Sequence, residues 1–142
     1  MNPGAVNPDS VNSGAGDPLG PQVRGLFAAL RHAGEPVAAG TAPFQCGEAG
    51  REQRGTRVRF MLRLAGERLV EVRYRAYGCP YTLAACEWLA GLLERGGRDT
   101  IGGPADWARQ LGIPPAKLGR LLVVEDALRA ALAAADKTVT NS

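Results

Sequence analysis

One junction constrains the fold of this chain more than any other stretch. Leu69 to Tyr77 (Leu-Val-Glu-Val-Arg-Tyr-Arg-Ala-Tyr) alternates in the manner of a half-buried strand. Leu83 to Leu93 is an almost continuous apolar run and reads as a buried helix. Only Gly78, Cys79, Pro80, Tyr81 and Thr82 separate the two. A glycine permits the sharp turn, and a proline suits the first helical position, where its missing N–H costs nothing. Cys79 is thereby delivered to a helix N-terminus, where unpaired N–H groups and the helix dipole favour a thiolate. It reads either as a reactive or metal-binding sulfur at a strand end or as a buried, inert cysteine. These residues alone leave both readings open.

The strand has a partner. In Arg57 to Leu64 the residues Val58, Phe60, Leu62 and Leu64 share one side, with Arg57, Arg59 and Arg63 on the other. Ala65-Gly66-Glu67-Arg68 is a turn, so the two strands form an antiparallel hairpin with Val70, Val72, Tyr74 and Ala76 on one face of the return strand. The arginines interleaved with Glu71 read as a solvated sheet face with cross-strand pairs. The following helix, Tyr81 to Arg95, has one narrow, less apolar stripe at Glu87, Gly91 and Glu94. It therefore belongs in the centre of the fold, stopped by Gly96-Gly97.

The flanks are less regular. Residues 1–19 are rich in Asn, Gly, Pro and Ser and read as a disordered tail. Pro21 to Ala33 spaces Val23, Leu26, Phe27 and Leu30 as a short amphipathic helix, with His32 as a surface residue or charge near its end. Residues 34–56 read as a loop carrying Cys46-Gly47-Glu48, a thiol and carboxylate pair of the kind that binds zinc or iron. Cys86 lies seven residues past Cys79. That is a helical rise of about 10 Å, too far to share a small ion, so Cys86 is expected in the core. Pro104 to Leu111 is a short helix with Trp107 and Leu111 inward. Ile113-Pro114-Pro115-Ala116-Lys117 is expected to be extended and exposed. Leu118 to Ala135 resumes a helix with Leu118, Leu121, Leu122, Leu128 and Leu132 inward, and residues 138–142 fray.

The 142 residues suit one domain, and a net charge of +3 with scattered arginines argues against a nucleic-acid surface. No apolar run has the length of a membrane span, and no basic-then-apolar leader opens the chain. Three cysteines are too few for a secreted disulfide scaffold, so a reducing cytoplasm is expected. Neither a Ser-His-Asp set nor a phosphate-binding glycine loop is present, and no enzymatic activity is expected.

Three segments together resemble the IscU and NifU N-terminal-domain family of iron–sulfur cluster assembly scaffolds. They are Cys46-Gly47-Glu48, Tyr77-Gly78-Cys79 before a buried helix, and Ile113 to Leu118 followed by Glu125-Asp126-Ala127. The resemblance spans residues 20–137 as one domain. It implies an α+β fold of the SufE/NifU-like type, a small antiparallel sheet covered by helices with a cluster site at one end. It further implies a transient 2Fe-2S cluster, or iron, on Cys46, Cys79 and Glu48; zinc also suits these donors. Implied partners are a cysteine desulfurase, acceptor apo-proteins, and an Hsp70-type chaperone with its co-chaperone, the chaperone gripping Ile113, Pro114, Pro115, Ala116 and Lys117. The chain departs from the family where a His-Cys pair supplies a third thiol; here stand Gly119 and Arg120. Arg120 is expected to modulate the site by lowering a nearby thiol pKa. Two alternatives accompany this reading. One is a pseudo-scaffold that binds desulfurase or chaperone without a cluster. The other is a persulfide carrier acting through Cys79.

Overall fold

A computed structural model describes residues 19–34 and 44–141; most of the N-terminal stretch expected to be disordered lies outside them. The order is α1 (Pro21–Ala28), β1 (Gln45–Arg51), β2 (Thr56–Ala65), β3 (Arg68–Tyr77), α2 (Pro80–Glu94), α3 (Pro104–Leu111) and α4 (Leu118–Asn141). The three strands form one antiparallel sheet in the order β1-β2-β3. This is the expected α+β architecture.

The alternation in β2 and β3 sets the layers. Val58, Phe60, Leu62, Val72 and Tyr74 are fully buried on one face, beneath α2 and α4. α2 lies on β3, and α4 lies on β1 and β2. α1 packs on α2, and α3 on α4. The opposite face carries arginines tied by ion pairs across and along the strands. Arg63 reaches Glu71 at 2.5 Å, Arg73 reaches the same carboxylate at 2.9 Å, and Arg57 binds Glu48. A register shift between Arg63 and Leu64 turns Leu69 toward the core and leaves Val70 exposed, against the simple alternation.

Several expectations need correction. Residues 45–51 are a strand rather than a loop. β1 has no apolar alternation of its own, but it pairs residue for residue with β2 from Gln45–Leu62 to Arg51–Thr56. Gly47 makes this packing feasible, because a Cβ there would stand 2.1 Å from the Ala131 nitrogen of α4. The first helix ends at Ala28, five residues early. The chain beyond it runs along the free edge of β3 instead, where Tyr74 N–H donates to His32 O (3.1 Å) and Gly34 N–H to Tyr74 O (2.9 Å). Leu122 of α4 is exposed, and Val124, Ala127, Ala131 and Ala135 line the buried face with Leu121, Leu128 and Leu132. α4 itself continues to Asn141, past the predicted end.

The Glu87, Gly91 and Glu94 stripe of α2 faces the segment after α1, with Glu87 buried and Glu94 exposed. Glu87 is only 6% exposed and accepts hydrogen bonds from the Tyr74 hydroxyl and the His32 backbone N–H, both at 3.0 Å. The His32 ring lies 2.5 Å from Glu87 and 2.9 Å from Glu94, while Glu94 also accepts from the Val72 N–H at 2.7 Å. His32 is thus no free surface residue. It clasps the segment after α1 onto α2. Burial pulls its pKa down, but the two carboxylates more than offset this and hold it above the ordinary imidazole value.

Candidate functional site

Cys79 caps α2. Its backbone is extended (φ −81°, ψ 171°), and Pro80 opens the helix. The sulfur lies 3.6 Å from the Thr82 hydroxyl. Gly78 sits tightly over that threonine: an added Cβ would come 3.0 Å from its side chain. Burial pushes the Cys79 thiol up. The N–H groups of Thr82 and Tyr81, the Thr82 hydroxyl and the Arg120 charge outweigh burial and hold the thiol below its ordinary value. Arg120, on the first turns of α4, donates to the Thr56 hydroxyl at 3.2 Å at the start of β2. One end of the sheet therefore assembles a partly buried thiol, two threonine hydroxyls and a guanidinium.

Cys46 and Glu48 do not join them. Both project from the arginine-bearing face of β1 and are exposed. The Cys46 sulfur accepts a weak bond from Arg59 at 3.6 Å, and Glu48 is engaged by Arg57. Cys46 stands opposite Met61, whereas Tyr77, two residues before Cys79, stands opposite Arg57. Those four residues of β2 put Cys46 about 13 Å from Tyr77 along the strand direction, before any lateral distance is added, and Cys79 follows Tyr77 at that far end. Among the described residues no three His, Cys, Asp or Glu side chains converge on a metal position. The implied ligand set Cys46, Glu48 and Cys79 does not fit a cluster held within one chain. Cys86 is fully buried and free, and burial raises its thiol pKa far above the usual range.

The Pro-Pro segment is only in part as expected. Ile113 is 5% exposed and anchored in the core, its N–H bound to Ala108 O at 2.9 Å after the left-handed Gly112. Pro114, Pro115 and Ala116 are exposed, but Pro115–Lys117 is a tight helical turn leading into α4, not an extended strand.

Sequence reasoning missed Thr82, Thr56, Arg51 and Arg54. Thr82 had a local signal, three residues after a capping position. The others line one cavity with Arg120 and reach it through strand pairing and a turn, Glu52–Arg54, that joins β1 to β2.

No protein-family model matches the chain. Over 119 residues, 79% of this chain, it is 41% identical to the bifunctional protein NifU/MnmA of Rubrobacter xylanophilus. Its fold is similar to the crystal structure of an iron–sulfur cluster assembly scaffold protein for the SUF system from Fervidobacterium islandicum AW-1. The TM-score is 0.59 over 80% of this chain and 95% of that one, at 12% identity. The chain is thus similar in sequence to part of that relative and in fold to that scaffold protein, in line with the resemblance to the IscU/NifU family. It spans about a quarter of the length of the NifU/MnmA relative (23%). Its own site departs from that resemblance. The scaffold fold is present, with Cys79 at the strand-to-helix junction, while Arg120 occupies the region where the resemblance places a third thiol. No helix among the described residues is long and apolar enough to cross a membrane.

Proposed function

We propose that the protein serves iron–sulfur cluster assembly as a single-thiol carrier whose working group is Cys79. The observation that supports this most directly is the pairing of a depressed, partly buried thiol with Arg120 at one end of a scaffold-type fold, with Cys46 far from it. A lone thiolate so placed suits sulfur transfer. It attacks the outer sulfur of a donor persulfide, the donor's S–S bond breaks, and the donor thiolate leaves and takes a proton from water. Cys79 then carries the persulfide, within reach of the Arg120 charge. No oxidant or reductant is consumed, and the protein acts as a stoichiometric carrier rather than an enzyme. A cysteine desulfurase is the proposed donor, and acceptor apo-proteins the destination. Iron or a 2Fe-2S cluster is cargo in this scheme, and zinc suits the same thiolate; any of them would need ligands from a small thiol or another chain beside Cys79. An Hsp70-type chaperone is proposed to engage the exposed Pro114 to Ala116 tip, with Ile113 staying in the core.

The separation of Cys46 and Glu48 from Cys79 also favours a second reading, an adapter that binds desulfurase or chaperone and holds no sulfur. Mass spectrometry after incubation with desulfurase and cysteine separates the two. The carrier shows one added sulfur on the Cys79 peptide, lost in Cys79→Ser. A desulfurase complex that forms without any sulfur on Cys79 overturns the carrier and supports the adapter.

A further inference from the structure

A cavity of about 670 Å³ opens between the β1–β2 turn and the start of α4. Its lining includes Arg51, Arg54, Thr56, Gly119, Arg120 and Val123. Three arginines line one space and, among the described residues, no carboxylate lines it. Glu52, which lies in the same turn, is directed to Arg57 instead, at 3.6 Å. The volume is that of a small-molecule site, roughly 300–1,000 Å³. The space beside Gly119 is open, since a Cβ there would meet nothing within 4 Å. Arg120 belongs both to this cavity and to the surroundings of Cys79, whose thiol feels its charge. Thr56, which also lines the cavity, precedes Arg57, and Arg57 stands opposite Tyr77, two residues before Cys79, so the cavity and the thiol lie at the same end of the sheet.

We propose that this cavity binds the carboxylates of a small anionic thiol or persulfide and presents its sulfur to Cys79. Guanidiniums grip carboxylates through paired N–H donors, and Arg51 and Arg54 hold exposed positions from which to do so. The inference rests on the reading of Cys79 as a sulfur-accepting thiol and adds the class of compound that delivers or removes the sulfur. In exchange with a disulfide probe, the Cys79 thiolate forms a bond to one sulfur. The probe's S–S bond breaks, and one thiolate leaves and is protonated by water. No net redox equivalent is needed.

The test compares rates of mixed-disulfide formation at Cys79 in the full chain, using glutathione disulfide (anionic) and bis(2-hydroxyethyl) disulfide (neutral). The site predicts a preference for the anionic probe on the order of tenfold at low salt, eroding as salt rises. Arg51→Gln with Arg54→Gln abolishes the preference, and Gly119→Glu reverses it. Neither change touches a core side chain, and the neutral probe's rate reports that Cys79 remains accessible. A second arm titrates S-methylglutathione, which cannot exchange, and follows the backbone amide signals of Thr56 and Gly119 by NMR. Movement of those signals, lost in the double arginine variant, supports the site. Equal rates for both probes with unmoved signals overturn it. Selection of the anionic probe by a protein that takes no sulfur from desulfurase would instead retire the carrier reading and leave the cavity assignment standing.

Discussion

Gly47→Ala is the sharpest perturbation of this fold. The residue lies in the Cys-Gly-Glu run, where a ligand motif was expected, yet its role is packing. A Cβ at Gly47 would lie 2.1 Å from Ala131 N, 2.4 Å from Ala127 O and 2.7 Å from the Ala130 carbonyl carbon, where ordinary contacts begin at 3.4 Å. All three atoms are helix backbone, so no rotamer change relieves the clash. β1 and α4 must part by more than about 1 Å, a gap that forfeits a quarter to a half of the dispersion energy across the contact. Overpacking of this kind costs about 3 kcal/mol, which lowers the melting temperature of a domain this size by roughly 10 °C. Thermal unfolding followed by circular dichroism measures it. Gly25→Ala is the control: it sits in exposed α1 with nothing within 4 Å of its added Cβ, and is expected to gain about 0.5–1 kcal/mol. A Gly47→Ala protein that melts within about 2 °C of wild type would refute the close approach of β1 to α4.

The His32 clasp predicts a pH dependence. The imidazole is raised in the folded protein above 6.5, so its contribution is fully present below the unfolded value and fades as pH rises through the folded one. Urea midpoints should fall over that window, and His32→Gln should flatten the fall; a midpoint that climbs there counts against the clasp. Iodoacetamide should modify Cys79 with a pH midpoint below that of an ordinary thiol, and Arg120→Gln should move the midpoint up; an unmoved midpoint removes Arg120 from the site. Cys86 should react only after unfolding, checked by peptide mapping across a denaturant series.

The parts of the fold legible in the sequence are those whose pattern is complete locally. β2 and β3 alternate, α2 is apolar nearly all round, and α3 is bracketed by Pro104 and Gly112. β1 was not legible. Its seven residues include two glycines and no β-branched side chain, and pairing with β2 makes it a strand. The end of α1 was misplaced for a related reason, because the β3 edge at Tyr74 competes for the backbone of residues 32–34. In the site, Gly-Cys-Pro was enough to put Cys79 at a helix start. The distance from Cys46 was not readable, since it depends on a register that only the sheet defines. The same register brings Arg51 opposite Thr56 and so to the cavity that Arg120 also lines.

In the proposed scheme Cys79 works without Cys46 or Glu48. The rate at which desulfurase-derived sulfur appears on the Cys79 peptide, measured in Cys46→Ser with Glu48→Gln, tests this most directly. The rate should match wild type in that double variant and slow in Arg120→Gln. Loss of Cys79 loading in the double variant, or sulfur arriving first on Cys46, would contradict it.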